Sequence, residues 1–108
     1  MQMKAAVLTS PRDISNRPLE VRQIESPELS PGHVLLRVLA CGVCRTDLHI
    51  VEGELSPLCR ELIPGHQIVG EVMDSRSSDI HEGTRVGVSW IGGTDGTCWY
   101  CRQGLENL

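Results

Sequence analysis

The amino-acid sequence predicts an all-β, barrel-like domain with one or two short helices. Three observations carry that expectation. Aromatic residues make up only 3% of the 108, with two Trp, one Tyr and no Phe, so a core has to be filled by Leu, Val and Ile, which favours strands. Apolar or alternating segments recur between Gly and Pro turns, the pattern of short strands. No G-x-G-x-x-G occurs and no helices alternate with the strands, which argues against a dinucleotide-binding βαβ unit.

The first strand is expected over residues 4–8, where Ser10-Pro11 ends it. In the second, Leu19-Glu20-Val21-Arg22-Gln23-Ile24, alternation places apolar side chains on one face, and Pro18 and Pro27 bracket the run. Residues 33–41 follow the turn Ser30-Pro31-Gly32 and read as a third strand, buried on both faces. Residues 46–52 read as the helix, with Thr46 as N-cap, Asp47 in the first turn where a carboxylate suits the dipole, and Gly53 at the exit. Two more strands are expected at 68–73 and 84–88, with a polar surface turn over 74–83.

Ten basic against fourteen acidic residues give a net charge of −4, the wrong sign for a protein that gains affinity by neutralising phosphates. The longest apolar stretches, 34–36 and 38–43, are split by Arg37 and fall far short of the roughly 20 residues of a membrane span. The run 5–8 is shorter than a signal h-region. A soluble, cytoplasmic protein without nucleic-acid or membrane partners is therefore expected. The length suits one domain or a piece of one. The chain stops after a cysteine-bearing loop with no closing strand, so an excerpt of a longer protein is expected. Five cysteines, four of them in two C-x-x-C pairs, point to metal or thiol chemistry before disulfides. Cys41 and Cys59 read as inert small hydrophobes, His33 and His81 as surface residues.

Polar chemistry is densest in Cys41-Gly-Val-Cys-Arg-Thr-Asp-Leu-His49 and in Pro64-Gly-His66. A strand that ends in a cysteine and opens a helix presents a thiolate near the helix N-terminus, which makes Cys44 a ready metal ligand. His66, between a Pro-Gly turn and a strand, is an imidazole with a fixed direction. Zinc accepts mixed Cys and His ligation, and a site only partly filled by protein is catalytic in kind.

These runs, together with Gly-Thr-Arg-Val-Gly-Val over 83–88 and the tail Cys-Trp-Tyr-Cys-Arg-Gln-Gly-Leu-Glu-Asn-Leu over 98–108, closely resemble the zinc-dependent medium-chain alcohol dehydrogenase family. The resemblance covers essentially the whole chain and implies that residues 1–108 form that family's N-terminal catalytic domain, truncated. It implies a GroES-like, partly open β-barrel, with the nucleotide-binding Rossmann domain lying outside the chain. By position it makes Cys44 and His66 two protein ligands of a catalytic zinc, the third lying beyond Leu108. Thr46 would take the alcohol proton and His49 would relay it to solvent. Asp47 would orient His66 from behind the metal, and Gln67 would neighbour the same site, where many members carry Glu. Arg45 would touch the cofactor pyrophosphate, and Leu55 and Trp90 would line the substrate pocket. The implied reaction interconverts alcohols with aldehydes or ketones by hydride transfer to or from NAD or NADP, in a full-length protein expected to be a homo-oligomer. The chain alone is expected to be inactive.

The family's structural zinc lobe carries four cysteines. Cys98 and Cys101 match the second and third, the first falls on Asp95, and the fourth would lie one residue past the end of the chain. Asp95 is then either a carboxylate ligand of a structural zinc or a turn residue. Two bland alternatives stand beside the dehydrogenase reading. One is a purely structural zinc module on Cys41-x-x-Cys44 and Cys98-x-x-Cys101, against which the long intervening stretch counts. The other is a chaperonin-like barrel that only assembles.

Overall fold

The computed structural model describes residues 1–56, 61–91 and 96–105. Strands β1 (Gln2–Leu8) and β2 (Leu19–Glu25) form one antiparallel ribbon, and β3 (Val34–Cys41), β4 (Ile68–Ser75) and β5 (Arg85–Val88) form a second antiparallel sheet in the order β3-β4-β5. Helix α1 (Arg45–Glu52) follows β3, and a one-turn helix α2 (Trp99–Arg102) follows β5. All five predicted strands are present, within two residues of their expected limits. The radius of gyration is 15.8 Å, against about 13 Å for a compact domain of this length. Among the described residues the sheets are open and do not close into a barrel.

Among the described residues the core is small: Ala5, Val7 and Leu8 from β1, Val51 from α1 and Val72 from β4. Leu8 joins the ribbon to the chain that leads into the site. Its N–H donates to Leu62 O at 2.7 Å, and it accepts from Leu62 N–H at 3.0 Å. Leu8→Ala is expected to cost about 2–5 kcal/mol, the range for a buried large-to-small change, read as a lower midpoint in urea unfolding.

Two burial expectations are corrected. Val21 of β2 is largely exposed, while Arg22, on the opposite face, is half-buried. Arg22 is drawn inward because its guanidinium donates to Glu20 (3.0 Å), Glu61 (3.1 Å) and Thr9 (2.8 Å). Hydrogen bonding to Glu20 first, and then to Glu61, raises its pKa further above the usual value. Strand β3 is not buried on both faces: residues 34–36 are half-buried and 37–41 exposed. Its main neighbour is β4, so the face of its second half is left uncovered. Cys41 is accordingly exposed, against its expected burial, and Cys59 lies outside the described residues. His33 and His81 are exposed, as expected.

Helix α1 begins earlier than expected. Its N-cap is Cys44 in extended conformation (φ −126°, ψ 179°), and Thr46 sits inside the first turn. The cause is Asp47, whose carboxylate accepts from the Cys44 N–H at 2.9 Å, the acidic arm of a capping box set three residues after the cap. Gly53 ends the helix in the left-handed region (φ +87°). The C-terminal half is pinned from outside, since Arg12 N–H donates to Val51 O (3.1 Å) and Ile14 N–H to the Glu52 carboxylate (3.0 Å).

Candidate metal centre and cleft

The β3–β4 pairing brings the two chemical motifs together. Cys41 pairs with Ile68, so Cys44, just past the end of β3, and His66, just before the start of β4, leave the sheet at the same end. Two glycines permit the close approach. Gly42 donates to Gln67 O at 2.8 Å, and a Cβ on it would fall 2.7 Å from Gln67 Oε1. Gly65 has φ +142°, and a Cβ there would fall 2.9 Å from Cys41 Sγ.

At this junction Cys44 Sγ lies 3.1 Å from His66 Nε2, and His66 Nδ1 lies 3.1 Å from Asp47 Oδ1. Ligand atoms of Cys44, Asp47 and His66 all fall within 4.8 Å of one another. Asp47 is buried (7% exposed). Its Oδ2 is engaged by the Cys44 N–H, but Oδ1 makes no hydrogen bond of proper geometry, although His66 Nδ1 is within ion-pair range. A buried carboxylate oxygen without a hydrogen bond is costly unless positive charge stands nearby. A cation held by the Cys44 thiolate and the His66 imidazole would supply that charge, and a soft thiolate beside an imidazole is a zinc-type donor pair. The residues present fit the metal.

The junction opens onto a cleft of about 960 Å³, whose lining includes Thr46, His66, Gln67, Val88 and Trp90. The cleft lining thus brings Thr46, Gln67 and Trp90 together with His66. Trp90 is 75% exposed and is no core residue. Leu55 is 49% exposed and does not line the cleft. Arg45 is exposed at the start of α1 and makes no ion pair among the described residues. His49, one turn beyond Thr46, is also outside the lining, and its Nδ1 contacts the Glu54 carboxylate. Sequence reasoning missed this partner, and the left-handed Gly53 between them was the available signal. Ile50 and Ile68 were also missed as lining residues; their nearness to Thr46 and His66 was the signal.

Cys98 is the N-cap of α2, its Sγ accepting from Cys101 N–H at 3.3 Å. The two residues sit three apart on one helical turn, the spacing that places side chains on one face. Asp95 lies outside the described residues.

Residues 30–108 match the alcohol dehydrogenase GroES-like domain family. The chain belongs to this family. Among similar proteins, a probable alcohol dehydrogenase AdhA from Mycobacterium tuberculosis is 44% identical over 98% of this chain and 33% of its own length. An alcohol dehydrogenase from Geobacillus stearothermophilus is 42% identical over 98% of the chain and 31% of its own length. Among solved structures, a cobalt- and zinc-bound thermostable alcohol dehydrogenase from Pyrobaculum aerophilum superposes with a TM-score of 0.88 at 28% identity, covering 99% of this chain and 32% of that one. The chain spans about a third of the length of the curated relatives it matches. Membership carries the GroES-like fold and the alcohol dehydrogenase family to this domain. Among the described residues no helix is long and apolar enough to cross a membrane.

Proposed function

We propose that residues 1–108 are the catalytic-domain portion of a zinc-dependent, NAD- or NADP-linked alcohol dehydrogenase whose nucleotide-binding domain lies outside the chain. The observation that carries the reading is the Cys44–His66–Asp47 cluster at the mouth of a cleft that also holds Thr46. Cys44 and His66 would hold the metal, with a third ligand from elsewhere in the polypeptide. When bound, zinc would supply Lewis-acid polarisation of an alcohol oxygen, and NAD or NADP would be the hydride acceptor.

The chain's own residues do the rest. Asp47 holds the His66 ring by its Nδ1 side, which leaves Nε2 for the metal. Thr46 accepts the alcohol proton into its hydroxyl as it gives up its own, and His49 carries that proton on to solvent. Gln67 packs over Gly42 beside His66 and shapes the cleft floor as a neutral side chain. Arg45, exposed and unpaired by any described carboxylate, is placed to meet a cofactor pyrophosphate. Trp90 walls the substrate side, while Leu55 reaches the substrate only if the remaining polypeptide extends the cleft toward it. Small alcohols, aldehydes or ketones are the substrates, and the full-length protein is a cytoplasmic homo-oligomer. Asp95, Cys98 and Cys101 form part of a separate structural zinc site.

Zinc removal tests the reading. The full-length protein stripped by a chelator is expected to lose NAD(P)-linked alcohol oxidation and to regain it when zinc is restored; undiminished oxidation by the stripped protein overturns the proposal. Zinc analysis of Asp95→Ala separates the two sites. Loss of close to one zinc per chain assigns Asp95 to the structural metal, and unchanged content assigns it to the turn.

A further inference from the structure

The contact between His49 and Glu54 has no part in the reading above. Glu54 lies past the end of α1, yet it returns to His49 twice. Its backbone N–H donates to His49 O at 2.9 Å, and its carboxylate contacts His49 Nδ1. The reversal depends on Gly53 at φ +87°, where a Cβ would fall 3.0 Å from that of Pro11. The neighbouring carboxylates are otherwise engaged: Glu52 accepts from Ile14 N–H and Asp47 from Cys44 N–H. Arg45, one turn before His49 on α1, makes no ion pair among the described residues. Among the described residues, Glu54 is therefore the carboxylate that contacts this ring.

We propose that Glu54 is a positioning residue for His49, holding the imidazole by Nδ1–H so that Nε2 is the atom that takes up and passes on a proton. The inference rests on the relay reading of His49. An imidazole that donates from one nitrogen carries its lone pair on the other, so the carboxylate sets both the tautomer and the direction of the ring. The side chains are 35% and 60% exposed, and a contact so exposed adds little to stability. Its effect is one of orientation.

The test uses the full-length protein, labelled with 15N-histidine, as wild type, Glu54→Leu, Glu54→Gln and His49→Gln. Ring 15N spectra, with His49 assigned from its loss in His49→Gln, report the tautomer. Alcohol oxidation across pH reports the relay, which matters most at low pH where solvent base is scarce. Wild type is expected to show Nδ1–H, and Glu54→Leu to shift toward Nε2–H and to slow low-pH oxidation about 2- to 5-fold, the effect of an exposed pair worth up to ~1 kcal/mol at ~1.4 kcal/mol per tenfold. Glu54→Gln, whose carbonyl still accepts, is expected to keep the wild-type tautomer and rate. An unchanged tautomer in Glu54→Leu overturns the proposal, as does a Glu54→Gln enzyme that behaves like Glu54→Leu. A wild-type pH profile in Glu54→Leu overturns it while His49→Gln alters that profile. If His49→Gln leaves the profile unchanged, the relay reading falls and the role of Glu54 falls with it.

Discussion

Replacing Cys44 or His66 by Ala in the full-length protein is expected to lower alcohol oxidation by at least about 10³-fold, since Lewis-acid polarisation is worth several kcal/mol and each ~1.4 kcal/mol is tenfold in rate. The expectation follows from geometry: Sγ and Nε2 lie 3.1 Å apart, so Cys44 and His66 would hold the same ion and loss of either would weaken its binding. Folding should survive, because both side chains lie outside the small core, and the Asp47 carboxylate still accepts from the backbone N–H of the N-cap residue when Cys44 becomes Ala. The measurement is steady-state turnover together with metal content. A Cys44→Ala protein that lacks the catalytic zinc and still turns over at the wild-type rate contradicts the assignment.

Asp47→Asn is expected to weaken zinc binding about 10- to 100-fold, the usual cost of losing a carboxylate that orients a ligating histidine, with little change in melting temperature. The asparagine side chain keeps one oxygen to accept from the Cys44 N–H, so the helix cap is retained. What it loses is the negative charge 3.1 Å from His66 Nδ1. Asp47→Ala removes both functions and should additionally cost about 1 kcal/mol of stability, the typical value of a cap. Zinc titration in competition with a chromophoric chelator, run beside thermal unfolding, separates the two effects. Wild-type zinc affinity in Asp47→Asn would assign Asp47 to capping alone.

The strands and α1 were legible because each is a local pattern: branched apolar runs between Pro and Gly turns, and an acid near a helix start with glycine at its end. Even the true N-cap was present in the sequence, as the spacing from Cys44 to Asp47, although the hydroxyl of Thr46 was the more familiar capping signal. The faces of the strands were not legible. Alternation in β2 suggested that Leu19 and Val21 face inward, but both are exposed, and Arg22 turns inward because Glu61, 39 residues away, is there to receive it. The apolar run of β3 suggested burial on both sides, whereas burial depends on which elements cover it.

The candidate site divides along the same line. The ligand types and their motif spacing, Cys44 through His49 and Pro64 through His66, are properties of short runs of chain, so their chemistry could be read from the residues in order. That Cys44 and His66 touch, that Asp47 Oδ1 is buried without a hydrogen bond, that Leu55 stays off the cleft and that Glu54 returns to His49 came from the folded chain. Spacing within one helical turn is set by backbone hydrogen bonds between near neighbours. The meeting of residues 22 positions apart is set by the register of β3 on β4 and by two glycines that let the strand ends close together, and these act only once the sheet has formed.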